Sequence, residues 1–239
     1  MAVEENPRAK AAHESPCFQV VPAMRILCIC DLHGDATSLN GILRTTGSVD
    51  VILLGGDLTN FGTPNQAERL VAIAQGTCPH VLAVAGNCDS AAIDDRLTEI
   101  GVSLFRRGVV CDGVGFCGVS AMPTWMGNMY EFTEDEIASS LEASYQQVRG
   151  AERSVVLSHS PPRDCQLDLT HRGNHVGSTA VRQFIDAIRP AAVVCGHIHE
   201  ARGIDTIGPT TVVNCGPAFR GHHAFVQLNE KVHVELRSI

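Results

Sequence analysis

Five short apolar runs set the pattern of this chain, and each stops at a polar cluster. Residues 25–30 (RILCIC) run into DLHGD, 50–54 (DVILL) into GGD, 80–85 (HVLAVA) into GNCD, 154–157 (SVVL) into SHSPP, and 192–195 (AVVC) into GHIH. Apolar runs this short, bounded by turn residues, are the mark of strands buried on both faces. Between and around them lie segments at helical spacing: 37–46, with Leu39, Ile42 and Leu43 on one face, then 65–75, 89–100, 134–149 and 178–188, the last stopped by Pro190. Thr133 before the fourth of these, with Glu136 three residues on, forms a capping-box pattern. A hairpin is expected around Asp112-Gly113, joining 109–110 to 114–119, and further strands at 210–213, 224–228 and 232–236. Alternating elements first and a strand-rich end predict an α/β domain with a partly parallel sheet and a second, mixed sheet. In such folds ligands sit beyond the carboxyl ends of the strands. Asp31, His33, Asp57, Asn87, His159, His197 and His199 would then share one rim.

A chain of 239 residues, 44% apolar and 18% charged, has enough apolar material for a large core and too much for intrinsic disorder. The expectation is a single domain over 24–239 behind a leader, 1–23, whose polar, aperiodic sequence reads as a flexible tail; Met24 offers an alternative start. No apolar run approaches the ~18 residues of a membrane span. The leader lacks the apolar stretch of a secretory signal, and Cys28, Cys30, Cys117 and Cys195 lie inside apolar runs, where a thiol packs as a small hydrophobe. A reduced, cytoplasmic protein is expected. A net charge of −8 argues against coating duplex nucleic acid, which needs Lys and Arg for the phosphates. It leaves room for a phosphate substrate held by metal ions.

Taken singly, D-x-H, GGD and GN are turn sequences, and a lone histidine is most often structural. Their recurrence at strand ends changes the reading, because Asp, His and Asn are all metal-ligand types. Carboxylate mixed with imidazole suits Mn, Fe, Zn or Ni better than Ca or Mg. His197 and His199, at i and i+2 in one loop, can reach two neighbouring ions, and Asp57 is placed to bridge them.

The motif set Asp31-Leu32-His33, Gly56-Asp57, Gly86-Asn87-Cys88-Asp89, His159 and Gly196-His197-Ile198-His199 resembles the calcineurin-like metallophosphoesterases, in the family's order and over nearly the whole chain from Met24. The segments HVGSTAVRQFI and CGHIHEARG are most similar to predicted phosphoesterases related to a cyclic-AMP phosphodiesterase. The resemblance implies a four-layer α/β/β/α sandwich of two mixed sheets and two divalent ions, with Mn ranked first. One ion would take Asp31, His33, Asp57 and His199, and the other Asp57, Asn87, His159 and His197. It also implies hydrolysis of a phosphomonoester or phosphodiester by in-line attack of a metal-bridging hydroxide, the ions standing about 3.5–4 Å apart. The implied partner is a small phosphorylated substrate, a nucleotide among the candidates.

Cys88 departs from the family's common histidine, which is taken to protonate the leaving oxygen. A thiol hydrogen-bonds weakly, so either good leaving groups are preferred or another acid substitutes. His175, which opens the HVGS segment, ranks first as that acid, ahead of His171. Asp89 orients a ligand, caps the next helix, or does both. The aromatic loop from Trp125 to Phe132 is a lid, a homodimer surface or a packed flap. Two other functions fit the family: a non-catalytic protein-interaction scaffold, disfavoured because every expected ligand is present, and a nuclease, disfavoured because only 5% of residues are aromatic.

Overall fold

The computed structural model describes residues 23–239; the expected leader, apart from Ala23, lies outside the described residues. Strands β1 (Met24–Ile29), β2 (Val51–Gly55) and β3 (Val81–Val84) run parallel, linked by helices α1 (Ala36–Thr46) and α2 (Pro64–Gln75). Antiparallel β12 (His222–Leu228) and β13 (Val232–Ser238) complete a five-stranded sheet in the order β13-β12-β1-β2-β3. The second sheet has six strands in the order β10-β11-β9-β8-β5-β4. These are β4 (Val109–Cys111), β5 (Val114–Val119), β8 (Arg153–Ser158), β9 (Ala192–Cys195), β10 (Gly203–Ile207) and β11 (Thr210–Asn214). Its four inner strands are parallel and its two edges antiparallel. Helices α3 (Ala91–Glu99), α4 (Glu134–Gln146) and α5 (Thr179–Ile188) complete the set, and a small ribbon pairs β6 (Met122–Pro123) with β7 (Glu131–Phe132).

Strand periodicity explains the layers. Alternate side chains point to opposite faces of a sheet. In β1, Leu27 and Ile29 meet Leu39, Ile42, Leu70 and Val71 of α1 and α2, while Ile26 and Cys28 face the other sheet and meet Phe116, Val155, Leu157 and Val194. In β9, Val193 and Cys195 turn outward onto Leu141, Val181, Phe184 and Ile185 of α4 and α5. Both faces of each sheet are therefore covered, which is why these strands read as unbroken apolar runs. The result is the four-layer α/β/β/α sandwich of two mixed sheets. Among the described residues nine cysteines are all free, and no helix is long and apolar enough to cross a membrane.

Several elements depart from the sequence reading, and the following have a local cause. Strand β10 was not expected, because its apolar residues Ile204 and Ile207 stand three apart and show no strand period; it is an edge strand held by pairing with β11. Helix α3 starts at Ala91 with Ser90 as its N-cap, so Asp89 is not the cap. Helix α4 ends at Gln146, where the chain tightens into bonds from Gln147 N to Ser144 O and Val148 N to Tyr145 O. Its capping box, Thr133 with Glu136, forms as read.

Asp94 of α3 makes the fold sensitive to pH. Buried, it accepts hydrogen bonds from the Ser120 hydroxyl (2.8 Å) and the Tyr130 hydroxyl (2.9 Å). Burial outweighs these bonds and pushes its carboxyl up to about 7. The folded chain thus keeps a proton there that the unfolded chain releases near pH 4, so Asp94 lowers stability progressively as pH rises from about 4 to about 7. Asp94→Asn is expected to gain on the parent between pH 5 and pH 8, by about 3 kcal/mol, the part of the shift that lies above pH 5. Urea midpoints of both proteins at the two pH values check this; a difference that does not change with pH contradicts it.

Candidate metal centre

The strand ends deliver the polar residues from both sheets to one rim. Asp31 and His33 follow β1, Asp57 follows β2 and Asn87 follows β3; His159 follows β8, and His197 and His199 follow β9. Four of these have left-handed backbone: Asp31 (φ 56°), His33 (φ 47°), Asp57 (φ 45°) and His197 (φ 65°). Side-chain-bearing residues avoid this region unless the surroundings enforce it, and such strain collects at functional sites. Here hydrogen bonds enforce it. Asp31 N donates to Gly56 O (3.1 Å) and His33 N to Asp57 O (2.8 Å). His197 N donates to both Asp31 carboxylate oxygens (3.1 and 3.2 Å). Gly86 is needed for close approach: a Cβ there would collide with the backbone and carboxylate of Asp57.

Acceptor atoms converge inside this frame. His159, fully buried, stands with Nδ1 3.0 Å from the Gly55 carbonyl. A carbonyl can only accept, so the ring proton sits on Nδ1 and Nε2 offers its lone pair. That lone pair faces Asn87 Oδ1 at 2.8 Å and Asp57 Oδ1 at 3.5 Å. His33 Nε2 is buried with no hydrogen-bond partner, 3.6 Å from Asp57 Oδ2. His199 Nε2 stands 3.6 Å from Asp31 Oδ1. Three donor sets follow: Asp31, His33 and His199; Asp31, Asp57 and His159; and His33, Asp57 and Cys88. His197 adds a ring whose centroid lies 5.0 Å from that of His159. Converging carboxylates and imidazole lone pairs repel unless positive charge lies between them, so the residues fit divalent cations.

The titration pattern agrees. Burial would lower His159, but Asp57 and Asp31 outweigh it and leave the imidazole raised. Burial would raise Asp31, but His199 and the other imidazoles hold it below its usual value. Burial and the adjacent His159 push His197 down to about 3, which keeps it neutral and ready to ligate.

Asp89 braces two of the ligand loops. Its carboxylate accepts from Leu58 N (3.0 Å), Thr59 N (2.9 Å), the Thr59 hydroxyl (2.8 Å) and Gly86 N (2.9 Å). It ties the turn after Asp57 to the turn before Asn87. Of the two roles open in the sequence, positioning of ligands is the one its contacts support. Asn214 performs a similar task for the histidine loop, donating to Ile198 O (2.9 Å) and Gly196 O (3.3 Å).

A cavity of about 720 Å³ opens beside these residues, with Asn87 and His197 in its lining. His175 lines it too, half-buried, with Nδ1 2.6 Å from Asp168 Oδ1. Asp168 is fully buried and also accepts from Cys165 N (3.1 Å) and Gly177 N (3.0 Å), so it is a rigid anchor. Cys88 is placed less well for acid work. Its thiol is 8% exposed and pushed well above its ordinary range, first by burial and then by Asp57. Its backbone N–H donates to Asp57 Oδ1 at 2.7 Å, so the residue orients that carboxylate through the main chain. Arg163 lines the cavity, whereas Arg202 spends its guanidinium on the carbonyls of Cys215 and Arg237. In the aromatic loop Met129, Tyr130 and Phe132 are half-buried, but Trp125 and Met126 stand 73% and 65% exposed, so that part is no packed flap.

Sequence reading singled out the ligand-type residues but neither Asp168 nor Asn214. Residue type marks neither one: Asp168 works within its own loop, on Cys165, His175 and Gly177, while Asn214 at a strand end reaches Gly196 and Ile198, on a loop brought close by folding.

Comparison with known proteins adds the following. The sequence model of the calcineurin-like phosphoesterase superfamily domain matches residues 24–228. A protein of Methanocaldococcus jannaschii described as uncharacterized is 31% identical over 204 residues, covering 83% of this chain and 90% of the relative. Among solved structures, the protein TT1561 of Thermus thermophilus superposes with a TM-score of 0.68 at 18% identity, over 90% of this chain and 99% of that one. A dimetal phosphatase of Danio rerio superposes with a TM-score of 0.62 at 13% identity, over 92% and 96%. At these identities the solved structures speak for the fold.

Proposed function

Because the chain belongs to the calcineurin-like phosphoesterase superfamily, we propose that it hydrolyses a phosphomonoester or phosphodiester with two divalent ions, manganese ranked first. Asp31, His33, Asp57 and His199 suit one ion, and Asp57, Asn87, His159 and His197 the other. The observation that carries this reading is the convergence of imidazole Nε2 atoms on shared carboxylates, with His33 Nε2 buried and unpartnered. Bound there, the ions supply a hydroxide nucleophile near neutral pH and positive charge against the phosphoryl oxygens.

The chain's own residues do the rest. The Gly55 carbonyl holds the proton on His159 Nδ1 and keeps Nε2 free to ligate. Asn87 and the neutral imidazoles add no negative charge. Only Asp31 and Asp57 offset the ions, which leaves an excess of positive charge for the substrate phosphate. That is how a chain of net charge −8 would hold an anion. His175, aimed by Asp168, donates the proton that the leaving oxygen takes up, in place of Cys88.

The test uses protein stripped of metal and reloaded with Mn, Ni, Zn or Mg in turn. Hydrolysis of p-nitrophenyl phosphate and bis-p-nitrophenyl phosphate is followed side by side. Activity restored by at least one metal supports the reading, and the substrate ratio separates monoester from diester. Silence with every metal, together with no ion retained, would overturn it in favour of a protein-interaction scaffold.

A further inference from the structure

The cavity beside the metal centre is far larger than a phosphate needs, and its walls say what fills it. Its volume, about 720 Å³, lies in the range of small-molecule sites, about 300–1,000 Å³. Its lining joins Asn87 and His197 to Met122, Pro123, Trp125, Met129 and Val176. The polar and apolar parts touch, since Asn87 Nδ2 stands 3.3 Å from Met129 Sδ. A phosphate held by Asn87 and His197 would therefore have apolar lining within reach of its organic group.

The wall is a built ledge. Glu131 accepts from Trp125 N and Gly127 N, both at 2.8 Å, and β6–β7 pairing closes the loop at its base. Tyr130 fastens it to Asp94. Yet Trp125 is 73% exposed, and Val176, on the same lining, 37%. Braced apolar surface of this kind marks a binding site.

Its chemistry is selective. An indole and two thioethers are polarizable partners for an aromatic ring, through stacking and sulfur–ring contacts. Arg163, on the same lining, brings a guanidinium that packs on ring faces. Resting on the phosphoesterase reading, we propose that the substrate is a phosphate ester whose organic group is aromatic or heteroaromatic and seats against Trp125 and Met129.

Trp125 is the only tryptophan of the chain, so its fluorescence reports occupancy of the cavity directly. Manganese-loaded protein is titrated with methylphosphonate, hexylphosphonate and 1-naphthylmethylphosphonate, none of which can be hydrolysed. Trp125 emission is recorded, and each compound is also measured as an inhibitor of p-nitrophenyl phosphate hydrolysis. The naphthyl compound is expected to quench Trp125 saturably and to inhibit about tenfold more tightly than methylphosphonate, from apolar area buried. In Trp125→Ala, whose side chain is mostly exposed and whose loss spares the core, the ratio of the two inhibition constants falls toward one. Equal inhibition by all three compounds with no emission change overturns the inference and leaves the hydrolase reading standing. Hexylphosphonate binding as tightly as the naphthyl compound overturns the aromatic assignment in favour of an aliphatic group. Absence of p-nitrophenyl phosphate hydrolysis strikes the hydrolase reading instead, while the emission titration still decides whether aromatic phosphonates enter the cavity.

Discussion

Replacing Asp57 by Asn is expected to cut metal-dependent hydrolysis at least about 10²-fold, because losing even a partner behind a metal ligand costs about 10–100-fold, while the metal-free fold stays as stable as the parent or gains. The two halves of this expectation share a cause. Asp57 is 3% exposed, and its carboxylate lies 3.6 Å from His33 Nε2 and 3.5 Å from His159 Nε2 without a hydrogen bond to either. A buried charge so placed is fully satisfied only beside a cation. Asparagine keeps the volume and one oxygen to accept from Cys88 N, which donates to Asp57 Oδ1 at 2.7 Å. Its amide can also donate to the unpartnered His33 Nε2. The variant thus gives a stranded ring nitrogen a partner and removes a ligand. Thermal melts with and without manganese separate the effects: the parent gains stability with metal by mass action, and the variant does not. A variant that loses activity yet keeps the full metal-induced rise would show that Asp57 does not hold the ions.

The same trade explains which features were legible in the sequence. Buried parallel strands must be apolar on both faces, so β1, β2, β3, β8 and β9 were visible as runs, and their ends located every ligand-type residue. Edge strand β10 was not visible, because Ile204 and Ile207 carry no period and the strand is held mainly by pairing with β11. Of the braces, Asp89 was legible as a residue that orients its neighbours, whereas Asp168 and Asn214 were hidden. Both act by accepting from or donating to main-chain groups. A hydrogen bond to a backbone group leaves no mark on residue type or spacing. The left-handed backbone at Asp31, His33, Asp57 and His197 was hidden for a related reason: glycine would have signalled it, but the ligand chemistry requires side chains at those positions.

Replacing His175 by Asn is expected to slow hydrolysis of an alkyl phosphate about 10²–10⁴-fold, the usual weight of a general acid, and to leave p-nitrophenyl phosphate nearly untouched. An alkoxide is a strong base and departs only with a proton, whereas p-nitrophenolate departs without one. His175 is placed for this transfer: it lines the cavity that Asn87 and His197 share, and Asp168 fixes its Nδ1 at 2.6 Å, leaving Nε2 as the donating atom. Asp168→Asn should move selectivity in the same direction and by less, since an amide oxygen still accepts from the ring but holds no charge against it. Selectivity between the two esters is the decisive readout, because a merely structural role for Asp168, which also anchors Cys165 N and Gly177 N, would slow both equally. Cys88 supplies the opposite test. Its thiol, held up by burial and by Asp57, releases its proton poorly. Cys88→His in the His175→Asn background should therefore restore part of the turnover of the alkyl ester. Equal losses on both esters after His175→Asn, with no recovery from Cys88→His, would remove His175 from the chemistry and return it to the loop as a solvated side chain.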